Sequence, residues 1–265
     1  MSDDRAAGGR TGSSSLAVPR VEPLPLVPPP PETFGNYLGA TNAGAVARLV
    51  AAVRASLARD ARLPLLLRGP RGSGKSHLAR AFVAEAHAGG AEAVYLDLGA
   101  LGSETACALL TAGGWGRYAC LALDGIETLR GQRTREEALL SLLVDTGGGG
   151  SGLFMTEAVD GEIGKGWILP DVVSRLRAAE ILNLNPPNED DRRAIVRAYF
   201  VARRMPVGEN VLAWIETHAP RDLTSLGALS AALLHEAERR KRRITLGLAR
   251  EVLRSMPGPE RGGDL

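Results

Sequence analysis

A glycine-rich octapeptide, Gly69-Pro-Arg-Gly-Ser-Gly-Lys-Ser76, constrains the fold of this chain more than any other stretch. It fits the pattern G-x-x-x-x-G-K-[ST], and it lies between an apolar run, Leu65–Leu67, and a stretch with helical character. Glycines let successive backbone N–H groups turn towards phosphate oxygens, and the N-terminus of a following helix adds partial positive charge. The octapeptide therefore predicts a strand, a phosphate-binding loop and a helix, in that order.

The same loop predicts which side chains would meet a nucleotide. In such a loop Lys75 reaches the β- and γ-phosphates and Ser76 ligates Mg²⁺. A plain glycine-rich turn is the alternative interpretation, and the strand and helix on either side argue against it.

Composition narrows the class of protein and the kinds of partner. The chain has 265 residues, enough for one large domain or two modest ones, and its 45% hydrophobic and 23% charged residues are ordinary for a soluble globular protein. A net charge of +2 provides no global positive field, so contact with DNA would need a local patch. Cys107 and Cys120 lack metal-ligand spacing and are expected to be reduced thiols. Without a long apolar run or a signal-peptide pattern, we expect a cytoplasmic chain that does not enter the membrane.

The pattern of residues divides the chain into four parts. Residues 1–31 are rich in Gly, Ser and Pro and are expected to form a disordered tail with one apolar island at residues 21–26. Residues 32–186 alternate strand-like and helical patterns, which predicts a doubly wound α/β domain. Residues 187–257 carry only helical patterns and predict a small helical domain, and residues 258–265 are expected to be disordered.

The predicted strands are short and nearly all apolar, as in a parallel sheet buried on both faces. They lie at Leu65–Leu67, Val94–Leu98, Tyr118–Leu123, Gly152–Thr156 and Ile181–Asn185. In the second part of the chain, Asn188 is a predicted N-cap because three acidic residues follow it in the first turn. Further helices are expected at about 207–217, 222–239 and 246–255.

Two strand ends carry polar residues of the type that phosphoryl chemistry needs. Asp124 ends the third predicted strand, at the Walker B position that holds the hydration shell of Mg²⁺, although it could instead cap the following turn. Thr156 ends the fourth strand, where a polar residue would touch the γ-phosphate or the attacking water. A β-branched residue that only fills a strand end is the alternative for Thr156.

The order of these motifs resembles the AAA+ family and, within it, the Hda-like, DnaA-related regulators of replication initiation. The resemblance covers about residues 21–255. It is carried by the P-loop and by Glu32-Thr-Phe-Gly-Asn-Tyr37, Ala122-Leu-Asp-Gly-Ile-Glu127, Leu169-Pro-Asp-Val-Val-Ser-Arg-Leu176 and Lys241-Arg-Arg-Ile-Thr-Leu246. It implies a parallel AAA+ sheet with helices on both faces, followed by a small all-α lid, with ADP or ATP and Mg²⁺ as ligands.

The resemblance also implies roles for single residues. Arg175 matches the arginine finger, which a protomer projects into its neighbour's nucleotide site, although a solvated helix residue is the alternative. Gly125 stands where AAA+ ATPases usually carry a water-activating acid, and Glu127 lies at a different position on the turn, so we expect weak self-hydrolysis. The lid position of the sensor 2 arginine is Thr224, and Arg221, one turn earlier, either replaces it or stabilises the turn. The residues expected at the nucleotide are Gly69, Pro70, Arg71, Gly72, Ser73, Gly74, Lys75, Ser76, His77, Asp124, Thr156 and Arg221, with Ser76 and Asp124 at Mg²⁺.

The partners implied by the resemblance are DnaA and the DNA polymerase sliding clamp. The clamp-binding peptide survives as Leu24-Pro-Leu26, and Glu22 in its leading part weakens the match. Initiators carry a basic insertion before Walker B, whereas residues 99–118 hold one basic residue, Arg117, and the residues after the last helix leave no room for a helix-turn-helix domain. DNA is therefore expected to be met indirectly, and the basic run at residues 236–243 is interpreted as a solvated helix face.

The resulting functional hypothesis is a regulator that promotes hydrolysis of DnaA-bound ATP with the DNA-loaded clamp and so limits re-initiation. Two alternatives stay open. One is a stand-alone ATPase, such as a helicase loader or a transposition helper, and the other is a nucleotide-bound adaptor without a role in hydrolysis. Whether the chain forms homo-oligomers is also left open by the sequence.

Overall fold

A computed structural model describes residues 32–60, 63–148, 151–159, 161–219 and 223–256. Three groups of sequence predictions lie outside these ranges: the tail with Leu24, Pro25 and Leu26, the lid residue Arg221, and the C-terminal residues 258–265. Within the described ranges no helix combines the length and the apolar character needed to cross a membrane.

A five-stranded parallel sheet forms the centre of the first part of the chain. The strands are β1 (Leu65–Gly69), β2 (Ala93–Asp97), β3 (Cys120–Asp124), β4 (Gly152–Ala158) and β5 (Glu180–Asn183), in the spatial order β2-β3-β4-β1-β5. Every residue of β1 and β3 is buried, which explains why these strands show no polar alternation in the sequence. The predicted α/β architecture with helices on both faces of a parallel sheet is confirmed.

The helices on the two faces of the sheet enclose separate apolar cores. One face is covered by α1 (Ala43–Leu57) and α2 (Lys75–Ala88), and the other by α3 (Leu98–Leu101), α4 (Ser103–Thr111), α5 (Arg133–Asp145) and α6 (Pro170–Ala178). Side chains of one strand alternate between the faces, so Leu65 and Leu67 pack with α1 and α2 while Leu66 packs on the opposite side. Neither α3 nor α4 was among the predicted helices, because glycines at both ends of this short stretch hide its periodicity.

Four helices with a core of their own make up the second part. They are α7 (Glu189–Ala202), α8 (Glu209–His218), α9 (Leu223–Arg240) and α10 (Leu246–Ser255). The predicted N-cap is confirmed, because the Asn188 side chain accepts a hydrogen bond from the Asp191 N–H at 2.7 Å. The Asp191 carboxylate also accepts from the Ala40 N–H and the Thr41 hydroxyl, at 3.1 and 3.3 Å. This contact fixes the start of the lid helices against the N-terminal part of the α/β region.

Candidate nucleotide site

The octapeptide Gly69–Ser76 forms a loop between β1 and α2 whose shape depends on glycine. Gly72 and Gly74 have φ angles of +75° and +90°, a region that favours glycine, and Gly74 directly precedes the first turn of α2. A Cβ on Gly69 would lie 2.9 Å from the carbonyl oxygen of Leu184, and one on Gly74 would lie 2.7 Å from the Tyr37 ring. The glycines therefore let the backbone curl tightly, as a phosphate-binding loop requires.

Lys75 brings a positive charge into this loop. Its Nζ donates to the carbonyl oxygens of Gly69 and Pro70 at 2.9 and 2.8 Å, and its side chain is buried. Burial lowers the pKa of Lys75, while the negative charges of Glu127 and then Asp124 act against that shift. The ammonium is thus desolvated and held against the loop backbone, where a phosphate would be a further partner.

The loop offers further groups that fit a nucleotide with Mg²⁺. The Ser73 Oγ is buried and has no hydrogen-bond partner within the described part of the chain, so it has a polar atom to offer a ligand. Ser76, on the first turn of α2, is exposed and carries a hydroxyl of the kind that ligates Mg²⁺ in P-loops. Together with the Gly69–Gly74 curve and Lys75, these groups fit a polyphosphate, and Ser76 with Asp124 would hold the metal.

Asp124 is held at the end of β3 by two hydroxyl groups. Its Oδ2 accepts a hydrogen bond from the Tyr95 phenol at 2.8 Å, and its Oδ1 accepts from the Thr156 hydroxyl at 2.5 Å. The Thr156 oxygen in turn accepts from the Gly125 N–H at 2.9 Å. Burial, followed by the hydrogen bond to the Asp124 carboxylate, raises the pKa of Tyr95, so the phenol stays a donor. Thr156 thus orients the carboxylate, and Tyr95 is a site residue that the sequence analysis missed.

Glu127 contributes a second carboxylate close to the loop lysine. Gly125 has a φ of +78° and is followed by the short helical turn Ile126–Leu129, which carries Glu127. The Glu127 Oε2 is buried and accepts no hydrogen bond from the described residues. The negative charge of Glu127, like that of Asp124, acts against the lowering of the Lys75 pKa. The turn therefore brings an acid to the site that its position in the sequence did not suggest.

A cavity of about 310 Å³ opens beside the loop, where a nucleoside would continue from the phosphates. Its walls come from Tyr37 and Leu38 before α1, from Gly74 in the loop, and from Pro187 and Tyr199 at α7. This mixed aromatic and apolar lining is typical of sites for small ligands. The sequence did contain a sign of this cavity, because Tyr37 is one of two aromatic residues that end the Gly- and Pro-rich tail.

Tyr37 also connects the cavity to the loop. Its hydroxyl donates to the Ser73 carbonyl at 3.1 Å and accepts from the Asn42 side chain at 3.0 Å. Asn42 in turn exchanges hydrogen bonds with the backbone of Asn185, just after β5. His77, which the sequence assigned to the nucleotide set, lies near the Tyr37 ring and has its Nε2 2.9 Å from the Thr33 carbonyl oxygen. His77 therefore lines the cavity and also holds the N-terminal segment against α2.

Arg175 lies elsewhere, on the exposed side of α6. Its guanidinium contacts the end of α5, where Nη1 donates to the Leu143 carbonyl at 3.4 Å. The start of α6 is held by Glu136, a fully buried carboxylate that accepts from the backbone N–H groups of Gly131, Ile168 and Leu169. One carboxylate thus fixes the start of α6 to α5, and the Arg175 guanidinium contacts the other end of α5.

A buried ion cluster lies next to the site, at the end of β4. Glu157, which is 1% exposed, accepts from Arg68 of β1 at 2.8 Å and from Arg130 at 2.6 Å. The Trp167 Nε1 donates to the same carboxylate at 3.3 Å, and Arg68 also donates to the Gly161 carbonyl at 2.9 Å. The cluster joins the strand before the P-loop, the turn after Asp124 and the segment that leads to α6.

Comparison with known proteins supports the fold. No family model matches the chain. Domain III of the replication initiation protein DnaA from Thermotoga maritima superimposes with a TM-score of 0.71 at 21% identity, over 88% of this chain and all of that one. AMPPCP-bound DnaA from Aquifex aeolicus gives 0.63 at 16% identity, over 79% of this chain and 68% of that one. The Holliday junction branch migration motor RuvB from Thermotoga maritima gives 0.61 at 19% identity, over 88% and 75%. The chain has a DnaA-like AAA+ P-loop fold.

Proposed function

We propose that this protein is an Hda-like regulator that holds an adenine nucleotide and supplies Arg175 to ATP bound by a DnaA partner. The observation that carries the proposal is the position of Arg175, exposed on a helix that Glu136 anchors and hydrogen-bonded to the Leu143 carbonyl at the end of α5. A guanidinium on the surface can stabilise the negative charge that is distributed over the phosphate oxygens in the transition state of phosphoryl transfer in a neighbouring molecule. The DNA-loaded sliding clamp is the proposed platform for that encounter.

The nucleotide in this chain's own site is proposed to serve mainly as a structural cofactor. Lys75, the loop backbone and Ser73 would bind the phosphates, Ser76 and Asp124 would hold Mg²⁺, and the cavity beside Tyr37 would take the base. Bound Mg²⁺ supplies charge neutralisation of the phosphates. The structural likeness to a DnaA that was solved with AMPPCP supports ADP or ATP as the ligand. Arg221 is proposed as a lid contact to the same nucleotide.

The surface around Arg175 supports docking of a partner. Val144, on the last turn of α5, is 56% exposed and directly follows Leu143, whose carbonyl accepts from Arg175. Exposed aliphatic side chains beside an arginine are the kind of residues that a protein interface buries. We assign this surface to the nucleotide-bearing face of DnaA, in which the water-activating acid would be the partner's.

Replacement of Arg175 by alanine tests the proposal. With DnaA–ATP, loaded clamp and DNA, we expect the variant to lose the stimulation of hydrolysis by about three orders of magnitude, the range measured for arginine fingers. Arg177→Ala is the matched control, because Arg177 is exposed on the same helix and donates to the Ile163 carbonyl. Equal stimulation by wild type and Arg175→Ala would refute the mechanism.

A stand-alone ATPase is the second candidate function, and the buried Glu127 Oε2, which has no hydrogen-bond partner among the described residues, favours it. If Gly125 leaves the site without a water-activating acid, the purified protein should turn over ATP more slowly than about once per minute. Faster hydrolysis that Glu127→Gln removes, with unchanged nucleotide affinity, would establish the second candidate instead. Steady-state hydrolysis and nucleotide binding, measured on the same samples, separate the two outcomes.

The clamp is a proposed partner through residues 21–26, with Leu24, Pro25 and Leu26 as its contacts. Clamp capture by the full chain, compared with a chain lacking residues 1–31, tests this part. Loss of capture on deletion would support clamp docking. Unchanged hydrolysis of DnaA-bound ATP in the presence of captured clamp would favour an adaptor without a role in hydrolysis.

A further inference from the structure

A basic groove lies between the C-terminal ends of two lid helices, α7 and α9. It has a volume of about 480 Å³, and four cations line it: Arg204, Lys241, Arg242 and Arg243. All four residues are exposed, and Glu238 is the one carboxylate in the lining. Since the whole chain carries a net charge of only +2, this groove concentrates more positive charge than the protein has on balance.

Ion pairing divides the basic run at the end of α9 into two parts. Arg239 pairs with Glu236, and Arg240 pairs with Glu236 and Glu251. A hydrogen bond from Arg239, with Arg240 in support, lowers the pKa of Glu236 to about 2. By contrast, the four groove cations form no ion pair with any described residue. The solvated-face interpretation of the sequence thus describes Arg239 and Arg240, and the residues after them are left with uncompensated charge.

The backbone at two of these cations is unusual. Arg204 and Lys241 have φ angles of +56° and +52°, in the left-handed region, where helix ends usually place glycine. One other described non-glycine residue shares this conformation, Arg59, and its guanidinium donates to the carbonyls of Gly116, Arg117 and Tyr118. The side chains of Arg204 and Lys241 donate to no described residue. Arg204 and Lys241 thus occupy strained backbone positions, although their charged groups make no contact that stabilises the lid within the described residues.

We propose that this groove binds the phosphodiester backbone of duplex DNA. The planar guanidinium of arginine can donate two hydrogen bonds to one phosphate group. A concave surface with four cations is therefore suited to bind a DNA backbone, which carries phosphates at regular intervals. No aromatic residue lines the groove, whereas binding of single strands relies on aromatic stacking. None of the described exposed large apolar side chains lines it either, which disfavours a membrane surface. The groove would recognise the negative charge of the DNA backbone and not the base sequence. This binding would be independent of Arg175 and of the nucleotide.

The test is the salt dependence of binding to a short labelled duplex, measured by fluorescence anisotropy with the full chain. If all four cations contact phosphates, the logarithm of the affinity should fall with the logarithm of salt with a slope of about −3 to −4. Arg242→Gln with Arg243→Gln should reduce that slope by about two and weaken binding about tenfold. The matched control is Arg250→Gln with Arg254→Gln, which removes the same charge from exposed positions on α10 outside the groove.

A second variant separates charge from folding. Lys241→Gly removes one cation while providing the residue best suited to a φ of +52°, so the lid should be no less stable and the slope should fall by about one. Equal binding by wild type and the groove variants, or equal loss in the α10 control, would overturn the proposal. So would tighter binding to the single strand, or binding to phosphatidylglycerol vesicles without binding to duplex. Because Arg175 lies outside the groove, Arg175→Ala should bind duplex like wild type, so this titration and the DnaA–ATP assay show separately which of the two proposals fails.

Discussion

Replacing Lys75 with alanine should lower the affinity for Mg²⁺–ADP and Mg²⁺–ATP by about 30- to 100-fold. The ammonium lies inside the loop, desolvated and 2.8–2.9 Å from two loop carbonyls, so a phosphate would gain charge-assisted hydrogen bonds from it. Such bonds contribute about 1.5–3 kcal/mol each, and every 1.4 kcal/mol is a factor of ten in affinity. Titration with a fluorescent ADP analogue measures the change directly.

Thermal unfolding gives an independent readout for the same variant. A ligand at about 100 times its dissociation constant stabilises a protein by about 2.7 kcal/mol, so wild type should melt at a clearly higher temperature with nucleotide, whereas Lys75→Ala at the same concentration should gain less than about 1 kcal/mol. Lys165→Ala is the control, because Lys165 is an exposed lysine outside the P-loop. A wild-type response of Lys75→Ala would mean that the nucleotide, if it binds, uses another site.

Replacing Glu157 with glutamine should destabilise the folded chain by about 3–5 kcal/mol. The carboxylate is 1% exposed and compensates two arginines, Arg68 and Arg130, whose side chains are 10% and 18% exposed. Removing one member of a buried ion cluster leaves the other charges in a poorly solvated place, which costs far more than losing a surface pair. Urea unfolding followed by circular dichroism measures the difference.

A matched surface pair controls for the loss of a carboxylate as such. Glu180 on β5 pairs with Arg48, and the two side chains are 31% and 42% exposed, so Glu180→Gln should cost less than about 1 kcal/mol. Similar losses for Glu157→Gln and Glu180→Gln would contradict the view that burial makes the Glu157 cluster essential. Loss of stability in Glu157→Gln would also be expected to loosen the P-loop, since Arg68 directly precedes Gly69.

Local sequence patterns predicted the parts of the site that local chain geometry determines. The loop Gly69–Ser76 and the strand that ends at Asp124 are continuous in sequence, and their spacing was sufficient to place them. The helices α3 and α4 were missed because both are short and glycine separates them, which removes the periodicity that a longer helix would show. The five strands were predicted to within a few residues because each contains a short apolar run.

The rest of the site depends on contacts between distant residues, and no single-sequence pattern carries these. Tyr95 meets Asp124 across neighbouring strands, and Tyr37 meets Ser73 from a segment before α1. Glu136 and Glu157 are buried in the folded protein. From sequence alone, glutamates are expected at the surface, so neither residue could be recognised as part of the interior. Their partners, backbone N–H groups in one case and arginines in the other, become visible only when the chain is folded.

The hydrogen bond between Tyr37 and the Ser73 carbonyl of the P-loop limits how far the tail can extend from the nucleotide cavity. Glu32, the first described residue, already lines the cavity beside the loop, and Tyr37 fastens the following segment to Ser73. Since an extended residue spans at most about 3.6 Å, the six steps from Leu26 to Glu32 allow a tether of about 20 Å. Any protein that binds Leu24–Leu26 must therefore have its binding site within about 20 Å of the nucleotide cavity. A docked partner would stand close enough to slow the exchange of the nucleotide.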